Sequence, residues 1–596
     1  MSQTTADFLL ARLREWDVQK VFGYPGDGIN GLLAAWGRAD NQPQFIQARH
    51  EEMCALEAVG YAKFSGRVGV CAATSGPGGI HLLNGLYDAK LDRVPVVAIV
   101  GQTDRTAMGG SYQQEVDLLS LFKDVASAYV QVVNVPEQLP NVIDRAIRTA
   151  LAERAPTAVI IPADVQQLPY SPPTHEFKMV PSSIGTDWPT VTPDDAAVER
   201  AAEVLNSGEK VAILIGQGAR GARAELIDVA EVLGAGVAKA LLGKDAVPDD
   251  LPFVTGSIGL LGSRPSYEMM RDCDTLLIVG SSFPYSQFLP EYDQARAVQI
   301  DIDARYIGMR YPTEVNLVGD AATTLRALLP YLTRQQDRSW RQTIESNVAT
   351  WWDTMHAEAK VEADPVNPMR LFSELSAQLP TDAIVTADSG SAANWYARQL
   401  RFTGEMRGSL SGTLATMGCA VPYAIGAKFA QPDRPVIAMA GDGAMQMNGL
   451  AELITIKRYW HEWADPRLVI AVLHNNDLNQ VTWEMRGMGG APKFVESQQL
   501  PDVDYAAFAA SVGLAARTVT DPEELAGAWT EALSSDRPTV LDVHTNADVP
   551  PIPPHATFDQ MRDAALALVK GDTDRLGIIK EGLMTKAQEF LPGKDR

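Results

Sequence analysis

The chain has 596 residues, 46% of them hydrophobic, and a formal net charge of −23 at pH 7. That length exceeds what one hydrophobic core supports and points to three units, and the acidic excess repels the phosphates of nucleic acid, which excludes polynucleotide partners. No uncharged apolar run reaches roughly 18 residues and the start from Ser2 to Asp7 is polar, so the expectation is a soluble cytoplasmic protein without signal peptide or spanning helix. The four cysteines, Cys54, Cys71, Cys273 and Cys419, are far apart and read as core residues, not as a zinc cluster or a disulfide framework.

Short β-branched runs alternate with longer helical patterns along the whole chain, the mark of parallel sheets covered on both faces. The fold class expected is therefore α/β, with three doubly wound parallel-sheet units and a C-terminal helical tail. In the first unit (1–168), Phe8, Leu9, Leu13 and Trp16 mark an amphipathic helix. Val68 to Ala72, Val94 to Val100 and Thr157 to Ile161 read as buried strands. A proline-rich stretch (169–193) is read as a semi-rigid linker.

In the second unit (194–334), the strand Val211 to Ile215 runs into Gly216, Gly218 and Gly221, a Gly-x-Gly-x-x-Gly string opening a helix. The dinucleotide fingerprint also needs an acid closing the next strand, where this chain supplies Lys239 and Lys244, so a standard NAD site is disfavoured. A second connector (335–366) with Trp340, Trp351 and Trp352 leads to the third unit (367–549). Its strands are Ala383 to Ala387, Val436 to Ala440, Leu468 to Leu473 and Thr539 to Val543, and it looks architecturally like the first.

Two of these strands deliver oxygen ligands to one sheet edge. Gly441, Asp442 and Gly443 follow the first, and Asn475 and Asn476 follow the other. In open α/β sheets ligands bind beyond the carboxyl ends of strands, and Mg²⁺ usually takes one or two carboxylates and completes its octahedron with waters and phosphates. Asp442 with Asn476 suits that sparse set. Beyond Val549, a proline-rich arm precedes a last segment (within 550–596) in which Leu576, Ile579, Leu583, Ala587 and Phe590 recur at helical spacing. Such a helix either packs on its own protein or docks at a membrane surface, here the inner face.

The Gly-Asp-Gly and Asn-Asn pair resembles the signature of thiamine diphosphate enzymes, and the resemblance extends over nearly the whole chain. It implies that Asp442, Asn476 and the carbonyl of Leu478 hold Mg²⁺ against the cofactor's diphosphate, with Gly441, Gly443 and Ala444 allowing close backbone approach. The 31 residues between Gly443 and Asn475 exceed the family's habit, and Tyr459 to Pro466 looks like an insertion lengthening a surface connection. Asp388, Ser389, Gly390 and Ser391 resemble the loop that holds the diphosphate at a helix N-terminus. Met417, in Thr416-Met417-Gly418, stands where the family wedges an apolar side chain between the cofactor's rings, and a carbonyl near Ala415 takes its amine. Glu51, in Arg49-His50-Glu51-Glu52, stands where a buried glutamate hydrogen-bonds the aminopyrimidine.

The resemblance is closest to the pyruvate oxidase and acetolactate synthase branch, particularly the quinone-linked pyruvate oxidases. Gly26, Asp27, Asn30, Thr74 to Gly79, Asn84 and Gly85 agree with it, as do Gln114 and Glu115, the Gln being placed beside the substrate. In the middle unit Gly243 and Lys244, Gly256 to Gly262 (with Gly259), Ser282 to Tyr285 (with Phe283), Gln299 to Asp303 (with Asp301), and Gly319 with Asp320 are similar to segments that hold FAD.

The implied reaction is flavin-dependent oxidative decarboxylation of a 2-oxo acid, with pyruvate as the default and a quinone as acceptor; the alternative is acetolactate-type carboligation with structural FAD. Family active sites form between the first unit of one subunit and the third of its partner, which implies a homodimer or homotetramer. Two departures bear on the substrate. Gln113 replaces a common aromatic residue, which suits a larger or more polar oxo acid. The stretch from Asp477 to Arg486 is one residue shorter than in the family, so Glu484 as proton relay and Trp483 beside it match only loosely.

Overall fold

The computed structural model describes residues 3–170, 172, 182–185, 189–551, 564, 566, 567, 570 and 572–574. Three six-stranded sheets, parallel throughout, form its frame. Their central strands, such as Val96–Gln102, Pro156–Pro162 and Leu468–His474, are apolar and buried end to end. That is what helices on both faces of a parallel sheet require. Numbered within each sheet, the strand order is 2-1-3-4-6-5 in the first and the third, so the two units do share one architecture. The middle sheet has the order 3-2-1-4-5-6, the doubly wound arrangement that binds dinucleotides where the order reverses.

The first and third units share one apolar core. It is built where helix Glu51–Ser65 crosses helix Ala420–Ala430, both buried on nearly every face. The backbones approach so closely that a Cβ at Gly60 would lie 2.7 Å from the Tyr423 Cα, and one at Gly426 would lie 2.3 Å from the Glu57 carbonyl oxygen. Only glycine fits either position. The stretch Tyr459 to Pro466 does more than form a surface connection. The Tyr459 hydroxyl accepts from Gln47 N at 2.8 Å, and Glu462 accepts from the Gln44 amide at 2.7 Å. The piece therefore pins the first-unit strand that leads to Glu51.

Much of the second connector is the helix Ser339–Ala359, packed on the middle unit. Arg341 from this helix donates to the carbonyls of Ala230 and Ala235 at 3.1 and 2.8 Å, closing the C-terminal end of helix Arg223–Leu233. The middle and third units are joined by Asp245, whose buried carboxylate pairs with Arg220 at 2.6 Å and Arg407 at 3.0 Å. No described helix is long and apolar enough to cross a membrane. The amphipathic segment from Leu576 to Phe590 lies outside the described residues.

One buried group stands out in the shared core. The Glu57 carboxyl lies against that of Glu452, and the two form a hydrogen bond in which Glu57 carries the proton, with no other side chain meeting either Glu57 oxygen among the described residues. Burial, and then the Glu452 charge, push the Glu57 carboxyl well above the usual range. Glu57 is thus held as the neutral acid, and its folded pKa exceeds its unfolded one, so the native state loses stability as pH rises above about 4.5. Glu57→Gln keeps the shape and the neutrality. Its thermal midpoint should match the parent near pH 5 and exceed it by several degrees at pH 8, and a gap that does not widen with pH contradicts this reading.

Candidate active site

A cavity of about 890 Å³ runs from the carboxyl edge of the third sheet to that of the middle sheet. At its third-unit end lies Asp442, 3% exposed, the first residue of a helical run that continues to Tyr459. Its Oδ2 accepts from the amides of Asn475 and Asn476 at 2.8 and 2.6 Å, and its Oδ1 accepts from Gly443 N at 2.8 Å. A carboxylate offers about four lone-pair sites, so three amides leave one for a cation. Burial pushes the Asp442 carboxyl up to about 6 despite these three bonds.

Two helix N-termini converge beside it. Helix Ser391–Arg398 starts after Gly390, at φ +89°, and has no side-chain cap, so its first amides remain for an anion. A Cβ on Gly441 would meet nothing within 4 Å, which leaves open space where a phosphate needs it. Five of the residues given by sequence, Ser389, Gly390, Ser391, Gly443 and Ala444, line this end together. Met417 reaches the cavity, its sulfur 3.8 Å from where a Gly443 Cβ would sit. Ala415 lines the cavity at φ +55°, a left-handed conformation that costs an alanine about 1–2 kcal/mol. Its loop is fixed by the first unit: Asp92 accepts from Gly412 and Thr413 N, and Asp88 accepts from Ser411 Oγ.

Four sequence assignments change. The Asn476 side chain does not face the cavity: its Oδ1 lies 2.9 Å from His474 Nε2, and the neighbour that lines the cavity beside Asp442 is Asn475. The carbonyl of Leu478 accepts from Thr482 N at 3.1 Å at the start of helix Asn479–Gly489, which turns it along that helix. Moving the register back by one residue also restores the residue missing between Asp477 and Arg486, and that gap was the signal available in the sequence. Asp388 is buried away from the cavity, its carboxylate taken up by the amides of Ser389, Gly418 and Ala420 at 2.9, 2.7 and 3.2 Å; it ties two loops and would repel a diphosphate. Lys244, 2% exposed, points into protein, 3.3 Å from Asp249 and 3.2 Å from the Ala397 carbonyl, and burial brings its ammonium down to about 8.

The middle-unit end sits at the reversal of strand order. Gly216 and Gly218 line it together with Gly259, Ser282, Phe283 and Asp301. Their small size serves loop packing as well, since a Cβ on Gly216 would lie 2.3 Å from the Gly280 carbonyl oxygen. Sequence reasoning missed Arg93 and Arg154, which reach this end from the first unit. Each closes a helix in the left-handed conformation, at φ +56° and +48°, where glycine is the usual choice. Arg93 also keeps a buried Nη2 without a partner. Two cations beside Asp301 suit a ligand that carries both phosphate and ribose hydroxyls.

Glu484 lines the cavity from helix Asn479–Gly489 and accepts from the Gln480 amide at 2.9 Å, while Gln480 accepts in turn from Asn394. Within one chain, Glu51 and Gln114 do not reach this cavity. Glu51, 8% exposed, starts its helix with Oε2 3.0 Å from His81 Nδ1. Gln114, at φ +62°, accepts from Ser75 Oγ at 2.8 Å on the same edge of the first sheet.

Three family models account for the chain in order. The thiamine pyrophosphate enzyme N-terminal TPP binding domain matches residues 3–121, the central domain 198–328, and the C-terminal TPP binding domain 388–543. The chain is 35% identical over 568 residues to YdaP of Bacillus subtilis, named as a thiamine pyrophosphate-containing protein, covering 95% of this chain and 96% of that one. It is 31% identical over 548 residues to a pyruvate oxidase of Lactiplantibacillus plantarum (90% and 88% covered). It is also 31% identical over 573 residues to the acetolactate synthase isozyme 2 large subunit of Escherichia coli (93% and 98% covered). The chain belongs to the thiamine pyrophosphate (thiamine diphosphate) enzyme family.

The position of Lys244 gives a test. Lys244→Met should weaken the fold by about 1–3 kcal/mol in denaturant unfolding and leave the affinity of the folded protein for added FAD equal to the parent's; weaker FAD binding than the parent's at unchanged stability would return Lys244 to the cofactor site.

Proposed function

We propose that the chain oxidatively decarboxylates a 2-oxo acid, with pyruvate and water giving acetate and CO₂, using thiamine diphosphate, Mg²⁺ and FAD and passing the two electrons and the protons released to a quinone. The observation that carries this reading is the single cavity joining the Asp442 edge to the order reversal of a dinucleotide-type sheet. In it Asp442, Asn475 and the carbonyl of Asp477 would hold the cation, and the amides after Gly390 and Gly441 would hold the diphosphate. Gly216, Gly218, Gly259, Ser282, Phe283 and Asp301, with Arg93 and Arg154, would hold FAD. When bound, thiamine diphosphate supplies the carbon nucleophile that adds to the oxo group and keeps the electron pair released with CO₂, and flavin accepts two electrons.

The chain's own residues do the rest. Met417 and Trp483 give apolar walls that exclude water. Glu484 Oε1, steadied by Gln480, is placed to hold and return a proton. Glu51 and Gln114 complete the site from a second copy, which makes the active species a dimer or tetramer.

A second reading, acetolactate-type carboligation with structural FAD, is favoured by the acetolactate synthases among the relatives. Anaerobic mixing with pyruvate separates the two. Oxidative decarboxylation bleaches the flavin at the turnover rate and yields acetate; stoichiometric acetolactate with the flavin still oxidised overturns it. The metal assignment has its own check. A proton and a cation compete for Asp442, whose carboxyl sits at about 6, so half-saturating Mg²⁺ should rise about fivefold from pH 6 to pH 5. Affinity independent of pH over that range contradicts the assignment.

A further inference from the structure

His474 ends the strand Leu468–His474 directly before the two asparagines, and the cavity does not contain it. Its ring is buried, tilted by 34° against His544 with centroids 4.2 Å apart and edge-on to Tyr505 at 5.0 Å. Nδ1 lies 2.8 Å from Asp542 Oδ1, while Nε2 faces Asn476 Oδ1 at 2.9 Å and Asp502 Oδ1 at 3.0 Å. The other Asp542 oxygen accepts from Tyr505 N, and the Tyr505 hydroxyl donates to the Asp442 carbonyl, both at 3.2 Å. One set of side chains thus brackets the loop from behind.

What this set holds is a backbone conformation. Asn476 sits at φ +54°, in the left-handed region. Through that turn two successive amides, those of Asn475 and Asn476, converge on the same oxygen of Asp442. Asparagine tolerates the left-handed state better than most residues with a Cβ, yet still less freely than glycine, so its surroundings help to hold it there. The Asn476 carbonyl accepts from Leu500 N at 2.9 Å and its side-chain amide reaches Asp502 at 3.4 Å, while His474 Nε2 at 2.9 Å restrains the side-chain oxygen from behind.

We infer that His474 is a positioning residue of the metal site, acting through Asn476 to lock the left-handed turn that aims two amides at Asp442 and leaves its remaining lone pair for the cation. This rests on the metal assignment proposed above. Orienting groups behind metal ligands commonly change affinity by about 10- to 100-fold when removed.

The test measures half-saturating Mg²⁺ for cofactor-free protein at fixed thiamine diphosphate, by quenching of tryptophan fluorescence and not by turnover. His474→Leu should raise it about tenfold or more. Because that change also strands the buried Asp542, a pair at Asn476 decides the matter if His474→Leu fails to fold. Asn476→Gly adopts the turn without restraint and should bind Mg²⁺ within about threefold of the parent, whereas Asn476→Ala, lacking both the hydrogen bond and freedom at positive φ, should lose about tenfold. The double variant His474→Leu, Asn476→Gly should recover most of the loss.

Equal losses in Asn476→Gly and Asn476→Ala would make the Asn476 amide itself a ligand and overturn the inference, as would parental affinity in a folded His474→Leu. Parent protein that shows no Mg²⁺-dependent quenching would sink the metal assignment, a separate failure.

Discussion

The site depends on how one buried carboxylate is kept ionised at a sheet edge. Asp442 is almost free of water, which pushes its carboxyl up to about 6, and three backbone amides oppose that shift. All three come from positions fixed by parallel pairing, since Val436–Gly441 and Leu468–His474 run in register and end together. A slip between these strands would move both asparagine amides off Oδ2 and leave a buried, unmatched charge, which is far costlier than a lost surface contact. Strand register, loop conformation and electrostatics here are one constraint.

The middle unit adds a second edge facing the first. Its order reversal opens a crevice between Gly216 and Gly280, and the cavity passes from there to Asp442 without interruption. The Asp245 ion pairs with Arg220 and Arg407 hold the two sheets at that spacing. The first unit contributes from both sides: Asp88 and Asp92 fix the loop carrying Ala415 and Met417, and Arg93 and Arg154 reach the far end. Little of the cavity's shape belongs to any one unit.

Much of this was legible in the sequence because buried parallel strands are apolar along their whole length, and ligand-bearing turns follow them at once. Val211–Ile215, Val436–Gly441 and Leu468–His474 are of that kind. Three of the edge strands were not legible. Val130–Val132 and Arg407–Ser409 have three residues each, and Ala515–Val519 alternates in exposure, so none forms an apolar run. The helix Ser339–Ala359 reads as a connector when only its tryptophans are weighed, although Ile344, Val348, Trp351, Met355 and Ala359 recur at spacings of three and four along its buried face. At the site, residue types were readable and orientations were not. Which of two adjacent asparagines faces the cavity shows in the sequence only through the residue missing between Asp477 and Arg486, and whether Lys244 faces ligand or core depends on Asp249, which spacing does not reveal.

The central claim is that a divalent cation sits between Asp442 and Asn475. Crystals grown with Mn²⁺ and thiamine diphosphate and measured at the manganese edge address it directly. The account predicts one anomalous peak about 2.0–2.2 Å from an oxygen of each side chain. A peak bonded to Asn476, or one held only by His50, Glu51 and His81, whose ligand atoms also lie within 4.8 Å of one another, would contradict it.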